Sequence, residues 1–208
     1  MRLLGLMLSL LTLTAACGVG EDIRVRDRDS LLFSGRANYV ETVSKSPTRN
    51  IGIGGELGAY GNRGEYTSPT GKKDYHVTMT YAAFLAEIGF RNFLIRPKIG
   101  IGMVDFSVAG QTTTVGEAGL GLMVGVEGRY RVAEPVDVFV RGTGFQRSSL
   151  HSSLLEFGFG FYPERHVAVE LGYGIASNVI DDGLDFFNAG NSADVEAQGL
   201  LVSMTLSF

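Results

Sequence analysis

The 208-residue chain has no tryptophan, one cysteine, three histidines and five prolines. A lone cysteine excludes an intramolecular disulfide, so the fold must hold by packing and pairing alone. His76, His151 and His166 are scattered and Cys17 stands apart from them. No His/Cys/Asp cluster has metal-ligand spacing, so no metal is expected. Long apolar runs are also missing. After Leu3–Leu13 no stretch approaches the roughly 20 residues of a membrane-spanning helix. The only basic run is Lys72-Lys73 and the net charge is −4, which argues against a nucleic-acid partner. Gly52-Ile53-Gly54-Gly55 and Gly119-Leu120-Gly121 superficially suggest phosphate loops. No helix follows either one, so no nucleotide cofactor is expected.

What the chain has instead is glycine and alternation. Its 29 glycines are about twice the average share. They sit inside apolar alternation, as in Ile99-Gly100-Ile101-Gly102 and Phe157-Gly158-Phe159-Gly160-Phe161. Glycine weakens an isolated strand, but it suits a curved sheet whose inner face is crowded by large side chains. Eight strands are predicted, at 50–60, 75–90, 93–105, 116–131, 135–146, 152–162, 166–178 and 196–208. Tight turns at Arg91-Asn92, 133–135 and 163–165 alternate with polar loops at 61–74, 106–115 and 179–195 and a shorter one near 147–151. Short turns at one end and long loops at the other is the pattern of an up-and-down transmembrane barrel. The final segment alternates Leu200, Val202, Met204, Leu206 and Phe208, with Phe208 expected in the aromatic girdle at the turn end.

Charge placement sharpens the expectation. With the apolar phase of each strand turned outward, Glu56, Arg96, Lys98, Glu117, Glu127, Arg129, Asp137, Arg141, Glu156 and Glu170 turn inward. A charge facing lipid near the midplane costs about 2–4 kcal/mol, whereas a partnered interior charge is tolerable. Glu56, Glu127, Glu156 and Glu170 facing Lys98, Arg129 and Arg141 would form a packed interior network with no open pore. Glu87 breaks the pattern, which suggests a phase slip near Ala82-Ala83. Aromatic belts are expected from Phe90, Phe93, Tyr130, Phe161 and Phe208 at the turn end, and from Tyr60, Tyr75, Phe106, Phe145 and Tyr173 at the loop end.

The first 16 residues have the form of a secretory signal, with Arg2 ahead of a short apolar run. Leu13-Thr14-Ala15-Ala16-Cys17 resembles a bacterial lipobox, which makes Cys17 a lipidation candidate. Residues 17–49 then read as a lipidated tether or an extra strand, and 50–208 as the barrel. Pairing of both 22–29 and 31–40 would raise the count to ten.

On the alternating segments, the glycine-punctuated strands, the turn-loop asymmetry and Leu206-Ser207-Phe208, the chain resembles the small outer-membrane β-barrels typified by outer membrane protein A, its X-type relatives and the opacity-protein superfamily. The resemblance implies an all-β barrel in the bacterial outer membrane, in contact with its lipid. It implies barrel-assembly machinery and periplasmic chaperones as partners, with Leu206 and Phe208 in the assembly signal. Members of that superfamily are variously structural, adhesive, protective or enzymatic; the leading reading of this chain is a non-enzymatic structural or surface-interacting role, with a surface ligand met through loops 61–74, 106–115 and 179–195. A second reading rests on His151 and Ser153, which resemble the His-x-Ser of outer-membrane lipid A 3-O-deacylases, where histidine activates serine against an ester. That family's motif continues with asparagine, and here Leu154 follows. A third reading is a soluble periplasmic lipoprotein that binds an apolar ligand.

Overall fold

A computed structural model describes residues 21–46, 48–111, 114–164, 166–181 and 192–208. Residues 1–16, expected to be a signal, Cys17 and most of the 179–195 segment lie outside the described residues. Every regular element described is a strand: β1 (Asp22–Lys45), β2 (Asn50–Ser68), β3 (Gly71–Phe90), β4 (Phe93–Ala109), β5 (Thr114–Ala133), β6 (Val136–Arg147), β7 (Leu150–Glu164), β8 (Val167–Asp181) and β9 (Ser192–Ser207). The nine strands form one sheet that closes on itself in sequence order.

The strand count corrects the expectation of eight, and of ten. Residues 22–45 follow the course of an extra strand, not of a tether, and only one strand is added. An odd number of strands in an up-and-down order can close only through one parallel pair. That pair is β1 with β9, from Asp22↔Ser192 to Asn38↔Ser207, and all other neighbours are antiparallel. β1 therefore starts at the end where β9 starts, the loop end, and finishes near Phe208 at the turn end. A bulge between Asp27 and Ser30 resets its register with β9.

The predicted loops are also shorter than their polarity suggested. Residues 61–68 continue β2 and 71–74 open β3, so the 61–74 segment is a hairpin tip with Pro69-Thr70 at its turn. Gly71 closes that turn with φ +121°, a backbone conformation where a Cβ is strained. Most of 106–115 likewise belongs to β4 and β5. No phase slip occurs at Ala82-Ala83, because the β2–β3 register is continuous from Asn50↔Gly89 to Ser68↔Gly71. Instead the apolar row of β3 faces inward, opposite to the expectation. Val77, Met79, Tyr81 and Leu85 are buried within the ring, with Glu87 following them on the inward phase, while Thr78, Thr80, Ala82 and Phe84 face out.

Close backbone approach explains one glycine pair directly. Gly158 and Gly172 are cross-strand partners on the inward face. A Cβ on Gly158 would lie 2.5 Å from the Gly172 Cα, and one on Gly172 would lie 2.9 Å from the Gly158 Cα. The wall folds inward there more tightly than any side chain allows.

Two seams interrupt the wall near the loop end. Pairing of β1 with β2 begins at Leu32↔Asn62, and pairing of β5 with β6 begins at Leu122↔Gln146. Above these points side chains bridge the gap. Tyr75 donates to Asp27 at 2.6 Å. Across the other seam Ser149 donates to Glu117 at 2.6 Å, and Arg147 donates to the Ala118 carbonyl at 2.6 Å.

Candidate membrane interface and charged interior

Strand geometry alone sends successive side chains to opposite faces. On β4 the outward row reads Phe93, Ile95, Pro97, Ile99, Ile101, Met103, then Asp105 and Ser107. On β5 it reads Tyr130, Gly128, Val126, Val124, Leu122, Leu120, then Ala118, Gly116 and Thr114. On β2 Ile51, Ile53, Leu57 and Ala59 give way to Arg63 and Glu65. On β9 Leu206, Met204, Val202 and Leu200 give way to Gln198, Glu196 and Asp194. On β1 Tyr39, Phe33 and Leu31 give way to Arg26 and Arg24. The crossover points adjoin one another through the register: Met103 faces Leu120 on one side and Thr80 on the other, and Leu200 faces both Leu31 and Tyr173. A continuous contour therefore encircles the ring, apolar outside below it and polar outside above it. At about 3.3 Å per residue, the 11-residue stretch Phe93–Met103 measures roughly 33 Å along the strand, or about 25 Å in height at a 40° tilt.

The interior reverses at the same level. Toward the loop end it is apolar, with Ile23, Val25, Val77, Met79, Val104, Phe106, Val108, Ile180 and Val195 all buried. Toward the turn end it is ionic. Arg141 is 1% exposed and donates to Glu127 at 2.8 Å, to Glu156 at 2.9 Å and to Glu170 at 3.2 Å. Arg129 meets Glu127 at 2.5 Å, Asp137 at 3.2 Å and Glu170. Lys98 meets Glu56 at 2.6 Å, and Tyr81 donates to the same carboxylate at 2.7 Å. Glu87, nearer the turn end, takes a 2.6 Å contact from Arg96. Phe139 packs beneath this cluster, with the Arg141 guanidinium 4.7 Å from its ring centroid. The seven residues expected to form the network are thus brought together.

Arg36 was missing from that set, and it occupies the centre, 2.5 Å from Glu170 and 3.7 Å from Glu127. Its signal was present in the sequence, since Phe33, Ala37 and Tyr39 share the phase opposite to it. Hydroxyls donate to these carboxylates as well: Ser34 to Glu156 at 2.9 Å and Tyr162 to Asp137 at 2.7 Å. Interior carboxylates are therefore paired as well as desolvated, the condition under which burial is sustainable.

The expected turn-end aromatics Phe90, Phe93, Tyr130, Phe161 and Phe208 are exposed on the ring. The expected loop-end belt is corrected. Tyr60, Tyr75, Phe106 and Phe145 are buried inside, and of that set only Tyr173 takes the outward phase. Each of the four lies an even number of residues from an inward group, so the wall's alternation turns them in. At the loop rim, hydrogen bonds from Arg24 and Ser192 hold the Asp22 carboxyl below its usual range.

His151 and Ser153 are exposed on the outer wall of β7. Both line a hollow of about 280 Å³ with Leu122, Val124, Gln146, Ser177 and Val179. Glu156 lies on the opposite face from both of them, where it bonds Arg141 and Ser34 inside the wall. At the turn end a polar vestibule of about 570 Å³ is lined by Arg49, Arg91, Arg96, Arg129 and Arg131 with Glu87, Glu134 and Asp137. Among the described residues no group of three His, Cys, Asp or Glu side chains could hold a metal ion. No protein-family model matches the chain, and comparison with curated proteins and with solved structures finds no match.

Proposed function

We propose that this chain is an outer-membrane β-barrel whose turn half is embedded in lipid and whose loop half stands in the medium as a β-lobe with its own apolar core. The observation that carries the reading is the polarity contour. Below it the outside is apolar and the inside ionic; above it both are reversed. A soluble sheet keeps one polarity sense along each strand, and a change of solvent partway along the strands accounts for the reversal. The band's height of about 25 Å equals the apolar band of outer-membrane barrels. A span needs only about 9–11 residues, and β1 has 24 and β3 has 20.

The role is structural or surface-interacting. What the protein offers to a partner is the wall and tip of the lobe rather than long flexible loops. The ionic core fills the lumen, so no steady ion conductance is expected across a planar bilayer. Leu206 and Phe208 face outward near the turn end, where assembly machinery could read them.

Fractionation tests the reading. The chain is expected in the outer-membrane fraction, resistant to carbonate and salt washing, with faster gel mobility before boiling than after. Release by washing refutes it and favours the soluble lipoprotein.

One observation keeps the hydrolase as a second reading: His151 and Ser153 share the same hollow at the height where ester linkages of outer-leaflet lipid would lie. The acid required to orient the histidine is not supplied by Glu156. Lipid A from cells expressing His151→Ala or Ser153→Ala is expected to show the same acyl chains by mass spectrometry as lipid A from cells expressing the parent chain. Loss of a deacylated species in either variant would establish the enzyme.

A further inference from the structure

We propose that the outer wall over β6 carries a binding groove for one acyl chain of a bilayer lipid, with the ester end of that lipid beside His151, Ser153 and Ser177; the proposal rests on the membrane reading above. Two adjoining hollows, of about 280 and 540 Å³, share Val124, Gly144, Ser153 and Ser177. Their floor is β6, where the outward positions Gly142 and Gly144 have no side chain. Their banks are Val124 and Val126 on β5 and Leu155 and Ile175 on β7 and β8. On β4 and β9 the outward rows carry larger side chains, Ile99, Ile101 and Met103 on one and Leu200, Val202 and Met204 on the other; a second small-residue stretch, Gly35 and Ala37 beside Gly55 and Ala59 on β1 and β2, has no imidazole or hydroxyl pair at its upper end.

The occupant follows from the chemistry along the groove. Its lower part is aliphatic and opens onto the lipid-facing belt. Its upper part crosses the polarity contour and presents an imidazole and two hydroxyls. None of these three groups has a side-chain hydrogen bond among the described residues. A ligand that is apolar at one end and rich in hydrogen-bond acceptors at the other satisfies both halves, and a lipid acyl ester is such a ligand. The groove's floor also has room by construction. A Cβ on Gly142 meets nothing within 4 Å, and one on Gly144 meets only Val124 at 3.8 Å. Side chains added there grow into the groove rather than into the wall.

The test uses the full chain in nanodiscs containing phosphatidylethanolamine with a photoactivatable diazirine on one acyl chain. Crosslinks, mapped by tandem mass spectrometry, are expected to favour Val124, Leu155 and Ile175 over Ile99 and Ile101 by about tenfold. Gly144→Leu is expected to bring the two regions level while gel heat-modifiability is retained. Should Gly144→Leu fail to assemble, the Gly142→Ala/Gly144→Ala double variant makes the same comparison with a smaller fill. Even labelling around the belt of a membrane-retained chain, or labelling indifferent to the fill, overturns the groove alone. A chain washed out of the bilayer by carbonate overturns the membrane reading and the groove together.

Discussion

Arg141→Met is expected to destabilise the folded protein by about 3–5 kcal/mol, the cost of leaving buried charge without its partner. Arg141 touches three carboxylates, those of Glu127, Glu156 and Glu170, and is itself 1% exposed. Methionine fills similar space but offers them nothing. The three would then depend on Arg36, Arg96 and Arg129, and Arg36 reaches Glu156 only at 3.8 Å. Against a typical total of about 5–15 kcal/mol this is a large fraction. Urea titration of the detergent-solubilised protein, followed by the loss of heat-modifiable mobility, reads it as a lowered midpoint. The double variant Arg141→Met/Glu156→Met separates pairing from packing. It removes the carboxylate that loses most, so part of the stability is expected to return, with a coupling of about 1–3 kcal/mol. A cost below about 1 kcal/mol for Arg141→Met would mean that water reaches these carboxylates and that the interior is not the packed network described.

How far the sequence disclosed this arrangement depended on whether a feature was local. Period-2 alternation is local, and it assigned Glu56, Lys98, Glu127, Arg129, Arg141, Glu156 and Glu170 to the inner face correctly. Closure is not local. Nothing within Asp22–Asp29 says that its partner is β9, some 170 residues away, or that the pairing is parallel. Its outward Arg24 and Arg26 made it look solvated, which on its outer side it is. The same ambiguity produced the overlong loops. A strand that stands in water has a polar outer row, so 61–74 and 106–115 resembled loops although Tyr60, Tyr75, Phe106 and Val108 anchored their alternate positions inside. The aromatic misplacement was avoidable. Tyr60 lies four residues from Glu56, Phe145 four from Arg141 and Phe106 eight from Lys98, all even separations that turn each pair to one face. What concealed this was the premise that each strand keeps one polarity sense from end to end. The inversion at the contour breaks that premise, most visibly on β3, where the apolar row faces in.

Ile99→Arg is the substitution on which the location of the protein turns. Ile99 lies midway along the outward row between Phe93 and Met103, and it is 57% exposed. If water surrounds the belt, an exposed isoleucine replaced by arginine changes stability by no more than about 0.5 kcal/mol. In lipid the same replacement near the midplane costs about 2–4 kcal/mol. Urea titration from liposomes is expected to give the larger figure, together with reduced recovery of the folded form from the membrane fraction. Asp105→Arg, at the next outward position after Met103 and above the contour, is expected to be silent under the same conditions. The neighbouring residue makes the contrast physical. Lys98 carries the same charge one position earlier in the chain, yet it points inward and lies 2.6 Å from Glu56. Cost along β4 is therefore set by face and height, not by the charge itself. Equal tolerance of arginine at 99 and 105 would require the apolar belt to face water, and the contour would then have no solvent boundary to explain it.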